Sequence, residues 1–521
     1  MELIKKNIHM DRIKLRSATQ VTLEEDINIP DSKPDVVNLI YEKGKIQIEE
    51  VKPTEDHVNI RGRLLFSVLY QTKDEGQKLV SVEGKMPFEE QLYMEGVKGT
   101  DKITVKPIME DLTVGIINSR KLSVQALFTL KAWVEELYDE EAPVDFYFEE
   151  EGTPLEYRKS RMELAQVAIQ KNDIFRIREE ITLPQNYPNI FHILWESVRL
   201  EEVEFKPIGE NISIQGDIHV FVLYEGEGEE MPIRAFETVI PFSGTLECNG
   251  CKDSLISDIC YEIGHMELEV RPDFDGEERM LGLDMVLDIS IKLYEEENMD
   301  MVSEVYGVTK EVESVEKQVD LKQLLMKIGG KSKVSGRIKI QSPETRVLQL
   351  LHSEGNVQVD DQQITDEGIQ IDGTVNVQVM YVTGDDASPY KCVKGMIPFS
   401  YVLEVPDINK NDSYKLQADE GQLQVMMIDS EEMDVKVVLD FKATVFRNMP
   451  CRLISNLKVS PLDMAKVNDL PSMVMYVAGP EDNLWNIGKR YYVPVERIKE
   501  VNELSSDEIH PGDKLLIVKG L

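Results

Sequence analysis

The chain has 521 residues, of which 58 are Lys or Arg and 96 are Asp or Glu, and its formal net charge is −38 at pH 7. This acidity argues against non-specific binding to nucleic acid or to an anionic bilayer, because both require clustered Lys and Arg. The length exceeds what one hydrophobic core organises, so we predict several domains. No segment has the apolar length of a membrane span or of a signal-peptide core, which predicts a cytosolic, non-membrane-spanning protein.

The five cysteines are few and odd in number, which is typical of a reducing compartment rather than of a disulfide framework. One cluster stands out, Cys248-Asn-Gly-Cys251 followed by Cys260. A structural zinc site needs four ligands, and no second Cys or His pair lies near this cluster, so we predict no metal site. We interpret these residues as thiols of surface loops, with thiol-redox chemistry as the alternative.

Three segments share one skeleton of apolar residues at every second position. In each segment a glycine is followed by a tyrosine 8 residues later and by a Pro-Phe pair that begins 25 residues later. The glycines are Gly62, Gly216 and Gly373. Their spacings of 154 and 157 residues far exceed the roughly 20 to 50 residues of solenoid repeats, so we predict three tandem homologous globular domains.

Alternating apolar residues predict strands with one buried face. Further alternating segments follow each Pro-Phe pair, at residues 122–134, 283–293 and 435–445. Regularly spaced short strands favour a mainly β fold, with sandwich or barrel-like domains rather than parallel βαβ units. A glycine in the middle of each strand predicts a β-bulge or a close contact that a Cβ would block.

Acidic runs at residues 139–141, 149–151 and 295–297 separate the repeats, and we interpret them as solvated linkers or strand ends. Metal binding or docking of a basic protein is the alternative for these runs. The proline-containing residues 449–472 resemble a tether. The predicted division is three β domains at 1–152, 153–308 and 309–458, a linker at 459–472 and a small domain at 473–521.

The last 49 residues, 473–521, change to the order strand, helix, helix, strand. The predicted elements are a strand at 473–477, a helix capped by Asn483, a second helix from Pro494, and a strand at 515–518. Residues 476–515 resemble the LysM family, through Asp482-Asn-Leu-Trp485, Lys489-Arg490-Tyr491, Asn502-Glu-Leu504 and Ile509-His-Pro-Gly512. The resemblance implies a βααβ domain that binds N-acetylglucosamine polymers between the loops at 479–483 and 506–512.

The resemblance also defines a candidate binding surface for a glycan or for a protein partner. Its residues are Glu481, Asp482, Asn483, Trp485, Lys489, Ile509 and Pro511. Glu481 replaces the glycine usual in the family, and a carboxylate there opposes the close approach of a sugar. Trp485 lies off the predicted buried face of its helix, so two interpretations stay open: a partly exposed interface anchor, or a side chain packed against Pro480.

Three β domains followed by a LysM domain resemble the SipL-type spore coat morphogenetic proteins, whose repeats are SPOCS (DUF3794) domains. The resemblance implies a non-enzymatic scaffold in the mother-cell cytosol, at the forespore surface and spore coat. Its LysM domain would dock the basement-layer ATPase of the coat, with other coat proteins as further partners, and so couple coat assembly to the forespore. The alternative is a wall protein that binds peptidoglycan through the LysM domain.

The sequence carries no catalytic signature. The seven histidines fall at unrelated positions in the three repeats, and none belongs to an HExxH motif. Neither a GxSxG elbow nor a phosphate-binding loop is present. We therefore predict that the protein is not an enzyme and uses no cofactor.

Overall fold

The computed structural model describes residues 2–73, 78–147, 155–228, 232–340, 346–463 and 470–519. The first repeat contains β1 (Glu2–Asn28), β2 (Val36–Pro53), β3 (His57–Thr72), β4 (Leu79–Tyr93), β5 (Ile103–Asn118) and β6 (Lys121–Tyr147). The second contains β7 (Leu155–Thr182), β8 (Ile190–Ile208), β9 (Asn211–Gly226), β10 (Ile233–Glu247), β11 (Ile256–Pro272) and β12 (Glu278–Gly307). The third contains β13 (Lys310–Lys339), β14 (Val347–Ile364), β15 (Gly368–Thr383), β16 (Tyr390–Glu404), β17 (Ser413–Met427) and β18 (Glu432–Pro461).

Each repeat is a sandwich of two three-stranded antiparallel sheets. In the first repeat the strand orders are β2-β3-β4 and β1-β6-β5, and the other two repeats have the equivalent orders. The predicted Gly-to-Tyr strands are the central strands β3, β9 and β15, and the predicted later strands lie in β6, β12 and β18. Their alternating apolar residues form one core in each repeat. The prediction of three homologous, mainly β domains is confirmed.

The glycine of each central strand lies beneath the phenylalanine of the Pro-Phe pair. The cross-strand pairs are Gly62 with Phe88, Gly216 with Phe242 and Gly373 with Phe399. A Cβ at the three glycines would lie 2.7, 2.9 and 2.7 Å from the facing ring. The other neighbouring strand, β2, β8 or β14, bulges beside the same glycine. The predicted close contact is therefore confirmed, whereas the bulge lies in the neighbouring strand and not at the glycine. The constant Gly-to-Phe spacing is the register of the hairpin.

The tyrosine of the repeated skeleton fixes the entry to the sandwich. The Tyr70 hydroxyl donates to the carbonyl of Pro34 at 3.0 Å, and the Tyr224 hydroxyl donates to the carbonyl of Pro188 at 3.1 Å. Both tyrosines are fully buried, and a buried hydroxyl requires a hydrogen-bond partner, which the proline carbonyl supplies. The recurring tyrosine thus joins the central strand to the loop that precedes its neighbour.

The first and last strands of each repeat continue beyond the sandwich as a two-stranded ribbon. A bulge at Lys14, Ala168 or Leu325, which are equivalent positions, marks the point where each pair leaves its sandwich and turns. The three ribbons pack against one another through a shared apolar cluster. Its members include the equivalent and buried residues Met10, Leu164 and Leu321. The repeats therefore form one body around a pseudo-threefold axis.

These ribbons correct two predictions about the connections. Residues 449–461 belong to β18 and pair with β13, so the tether does not begin at residue 449, and β18 enters the predicted linker by three residues. Leu453 and Ile454 are buried between ribbons, which is why the chain stays in strand there. The acidic runs at 139–141 and 295–297 lie within β6 and β12 rather than in linkers, and the run at 149–151 falls outside the described residues.

The cysteine cluster also differs from its prediction. Cys248 and Cys251 are buried in the core of the second repeat, and Cys260 is exposed. The same turn carries the buried pairs Met94 and Val97 in the first repeat and Val405 and Ile408 in the third. The interpretation as surface-loop thiols is wrong for the pair, because this turn of the fold buries two apolar side chains and cysteine serves as a small apolar residue.

Equivalent side chains of the three repeats meet on the pseudo-threefold axis. Tyr41, Trp195 and His352 occupy one such position, and Tyr41 lies 5.2 Å from Trp195 and 6.3 Å from His352 between ring centroids. Each of these residues directly follows a bulge, which turns it from its own sandwich toward the axis. Tyr41 and Trp195 belong to a largely apolar cluster to which all three repeats contribute, and His352 stacks on Phe221 of the same cluster.

A second axial position combines unlike polar residues, Lys43, Ser197 and Glu354. The Lys43 ammonium lies 2.8 Å from a Glu354 carboxylate oxygen, the Ser197 hydroxyl donates to the same oxygen, and Tyr41 donates at 3.1 Å. Burial opposes ionisation of Glu354, but the positive charge of Lys43 holds its pKa well below the usual value. Three copies of any one of these residues could not form this ion pair with a hydroxyl donating to its carboxylate.

A third axial set surrounds Asp11, which is 3% exposed. Its carboxylate lies 3.0 Å from Lys292 and 3.1 Å from Lys322, and accepts a hydrogen bond from Tyr294 at 2.7 Å. Lys415 completes the group by bridging Asp11 and Tyr294. Burial opposes the charge, but the three ammonium groups lower the pKa of Asp11 far below its ordinary value. All three repeats contribute to this network.

We predict that Gly62→Ala destabilises the first repeat by about 1–3 kcal/mol, since the Cβ would lie 2.5 Å from the backbone oxygen of Gln47 as well as against Phe88. Gly216→Ala should cost less, because the corresponding oxygen, of Glu201, is 3.2 Å away. Gly115→Ala is the control, since nothing lies within 4 Å of its added Cβ. Thermal unfolding of the full chain measures the three variants, and equal losses at Gly62 and Gly115 would contradict the packing argument.

We predict that Asp11→Asn lowers stability at pH 7 by about 3 kcal/mol, because it removes the buried carboxylate that three ammonium groups share, one of them the buried Lys292. The folded-state pKa of Asp11 is depressed, so its contribution is present above the unfolded pKa of about 3.9 and is lost as the pH falls below it. The melting temperature of Asp11→Asn should therefore fall less steeply on acidification than that of the parent. Asp139→Asn, at an exposed hydrogen bond with His9, is the control and should change little. Identical pH profiles for Asp11→Asn and the parent would refute this role.

Candidate functional site

The terminal module has the predicted βααβ order. It consists of β19 (Met473–Val477), α1 (Leu484–Tyr491), α2 (Val495–Val501) and β20 (Lys514–Val518). Asn483 caps α1, because its side chain accepts from the amide of Asn486 at 2.8 Å. The predicted face of α1 packs on the inner face of the two-stranded sheet. The buried residues of this core include Leu484, Ile487, Tyr491, Leu515 and Ile517.

The pairing of β19 with β20 brings the two predicted ligand loops together. The amide of Ala478 donates to Asp513 at 2.9 Å, and the amide of Gly512 donates to Ala478 at 2.7 Å. The Asp482 carboxylate accepts from the amide of Gly479 and from the hydroxyl of Tyr476, each at 2.7 Å. These two hydrogen bonds lower the pKa of Asp482, the amide more than the hydroxyl. Asp482 therefore closes the first loop from within.

The predicted site residues divide into three groups by their position. Glu481, Lys489 and Pro511 are exposed. Asp482, Asn483 and Ile509 are half-buried, and the first two are engaged in loop closure and helix capping. Trp485 is 3% exposed. The surface open to a ligand is therefore the pair of loops and the adjoining end of α1, without the tryptophan.

Trp485 packs against the second repeat. Its ring meets Tyr306 edge-on at 4.8 Å between centroids, and the Arg158 guanidinium lies 4.8 Å above it. Val308 completes the contact from the same repeat. The interpretation of Trp485 as partly exposed is wrong, and its buried cluster is built by the second repeat and Val495 rather than by Pro480. Helical periodicity could not show this, because the contact is made with a distant part of the chain.

Polar contacts extend this junction between the module and the ribbon of β7 and β12. The Tyr306 hydroxyl donates to the carbonyl of Val493 at 2.9 Å, and a Cβ on Gly488 would lie 2.5 Å from that hydroxyl. The amide of Val495 donates to the Glu156 side chain, whose pKa is nevertheless raised because burial outweighs this bond. The sequence reading missed Glu156, Arg158 and Tyr306. Gly488 was the available signal, since glycine inside a helix costs about 1 kcal/mol relative to alanine and so suggests a close contact.

The described residues contain no group of three or more His, Cys, Asp and Glu side chains placed to hold a metal ion. No helix among them is long and apolar enough to cross a membrane. The chemistry of the candidate site is that of a recognition surface, with loop backbone, exposed carboxylates in both loops, one exposed ammonium group and a proline available to a ligand.

We predict that Tyr306→Ala releases the terminal module from the ribbon without unfolding it, because Tyr306 lies outside the module and its core residues are untouched. Trp485 then becomes accessible, so acrylamide quenching of tryptophan fluorescence should increase. The control is Tyr93→Ala, which removes an exposed tyrosine from the first repeat. Unchanged quenching in Tyr306→Ala would show that the junction does not depend on this ring.

Comparison with known proteins agrees with this architecture. A family model described as SipL, SPOCS domain, matches residues 35–117, 189–271 and 346–428, and the LysM domain matches residues 476–518. Each SPOCS match begins just before the second strand of a repeat and ends near the fifth. The SPOCS and LysM domains are both non-catalytic binding domains.

One relative is similar over a short stretch. The uncharacterized protein YkzQ of Bacillus subtilis (strain 168) is 44% identical over 36 residues, which are 7% of this chain and 48% of YkzQ. The chain thus spans about half the length of this curated relative. No solved structure matches the chain. Three SPOCS domains followed by a C-terminal LysM domain are the SipL-type architecture, and the chain has this architecture.

Proposed function

We propose that the chain is a non-enzymatic scaffold of spore coat morphogenesis, located in the mother-cell cytosol at the forespore surface. Its LysM module docks the basement-layer ATPase of the coat, and its repeats contact other coat proteins. The observation that carries this proposal is the junction at Trp485. A module held against the body by a buried tryptophan presents its two loops in a fixed direction, as a scaffold requires.

The charge of the loops favours a protein partner over a sugar. Glu481 is exposed in the first loop, and Asp507 and Glu508 are exposed in the second. The hydroxyls of a neutral glycan can donate hydrogen bonds to these carboxylates but carry no charge, whereas a basic patch on a protein is attracted at longer range and is steered toward the loops. The SPOCS body adds to this field, because most of the net charge of −38 lies outside the module.

The repeats also present surfaces suited to coat proteins. The first bulge of β2, β8 and β14 holds an apolar residue at equivalent positions, Val37, Phe191 and Leu348. Phe191 is 58% and Leu348 is 62% exposed. Exposed apolar side chains repeated about one axis suit contacts with several partner molecules. These residues are the best candidates on the repeats for such contacts.

Peptidoglycan binding is the second candidate function, and it is supported by the LysM match. The loops at 479–483 and 506–512 are the family's glycan-binding loops, and the junction at Trp485 leaves them uncovered. Both candidate functions use the same loops. The ligand that these loops hold must therefore be identified by experiment.

We predict that Glu481→Lys reduces recovery of the ATPase from sporulating cells by about tenfold, because charge reversal at the loop replaces attraction of a basic patch by repulsion. Glu500→Lys is the matched control, since it makes the same charge change on α2 outside the loops. Pull-down with the full chain measures recovery, and deletion of residues 473–521 should abolish it.

Co-sedimentation with purified peptidoglycan separates the two candidate functions. Retention of the full chain on peptidoglycan, lost on altering residues 479–483, would support the wall-binding function. Unchanged recovery of the ATPase with the truncated chain would contradict the scaffold function at this module.

A further inference from the structure

The two edges of the terminal sheet differ in a way that the proposed function does not use. The outer edge of β20 is covered by Asn502. The side chain of Asn502 accepts from the amide of Leu516 at 2.6 Å and donates to the carbonyl of Leu516 at 2.9 Å. This side chain takes the place of a neighbouring strand. The sheet cannot be extended on this side without displacing it.

The outer edge of β19 has no such cover. Ser472 and Ala478 direct their backbone groups to β20, accepting from Lys519 at 3.1 Å and donating to Asp513 at 2.9 Å. Because backbone groups alternate along a strand, those of Met473, Met475 and Val477 point the opposite way. Within the described part of the chain, no strand pairs with this edge.

The side chains at this edge are apolar and exposed. Met473 is 61%, Met475 is 63% and Val477 is 56% exposed, and all three lie on the outer face of the sheet. Natural edge strands are usually protected by charged residues, proline or a bulge. β19 contains none of these, so it has the properties of a strand that accepts another strand.

We propose that β19 pairs in an antiparallel manner with β19 of a second copy of this chain, with the two-fold axis at Met475. In this register Met475 lies opposite its counterpart, and Met473 lies opposite Val477 of the second copy. All three are backbone-bonded pairs, and every pair is apolar. The contact is self-complementary, as a two-fold interface requires, and it converts two small sheets into one four-stranded sheet.

Charge favours a second copy over a basic partner at this edge. β19 carries no charge, so it offers no attraction to a basic peptide. Residues 470–519 hold eight acidic and six basic side chains, whereas the whole chain has a net charge of −38. Two copies therefore meet through modules of nearly balanced charge, and salt screens the longer-range repulsion between their acidic repeats. A pairing of five-residue strands is small, so we expect dimerisation to depend on concentration.

The dimer is independent of the proposed ligand loops. Trp485 lies on α1, which packs on the inner face of the sheet, and the outward side chains of β19 lie on the other face. The loops at 479–483 and 506–512 follow and precede the paired strands. In the dimer the loops of each copy therefore stay accessible. A variant that loses partner binding at the loops would still show the mass of the dimer.

The test uses the purified full chain. Light scattering over a range of concentrations should show a shift from monomer to dimer mass, and hydrogen exchange at Met475 should slow by about tenfold as the dimer forms. Met475→Pro should abolish the shift, because its missing amide hydrogen faces the open edge and leaves the bonds to β20 intact. Met475→Lys should do the same by placing two like charges opposite each other. Phe274→Lys, at an exposed turn of the second repeat, is the control and should dimerise normally.

A chain that stays monomeric at every concentration would overturn the proposal. So would a dimer that survives both Met475→Pro and Met475→Lys, since the contact would then lie elsewhere. If Met475→Pro fails to fold, Met475→Lys and the exchange measurement on the parent decide the question. Protection of Met475 only after a coat protein is added would assign the edge to that protein and refute pairing between copies.

Discussion

The structure depends on the contact of equivalent but unlike residues at the pseudo-threefold axis. Lys43, Ser197 and Glu354 occupy one position of the repeat and form one ion pair with a hydroxyl beside it. A second equivalent position holds Asp11 in the first repeat, Ala165 in the second and Lys322 in the third, and Asp11 pairs with Lys322. Three copies of a single residue would place like charges together, so each repeat has a fixed place around the axis.

Apolar packing and charge have different roles in this arrangement. The ribbons bury Met10, Leu164 and Leu321 together, and burial of such side chains contributes about 1.5–3 kcal/mol each. A buried ion pair adds little net stability, but loss of one partner is costly. The apolar cluster therefore supplies stability, while the axial charges select one arrangement of the three repeats. Together they place the three repeats of one chain in a defined order around the axis.

The same body determines how the LysM module is placed. Near the end of the ribbon of β7 and β12, Tyr306 meets Trp485 and Gly488. Helix α1 packs in the core of the LysM module, and through Trp485 it also contacts the second repeat. The loops at 479–483 and 506–512 and the outer edge of β19 stay open on the module. A rigid support with separate open surfaces is well suited to assembling other molecules.

The sequence by itself determined the repeats, the strands, the role of the central glycines and the order of the last module. These features depend on contacts within one repeat or one helix, so residue spacing records them: Gly62 meets Phe88 across a hairpin, and Asn483 caps the adjacent turn. Only the tertiary structure decided the ribbons, the axial partners and the place of Trp485. Asp11 meets Lys292 and Lys322, and Trp485 meets Tyr306, across different repeats or domains. No periodicity connects such positions, because their contact arises from the way separate sheets pack and not from the local geometry of the chain.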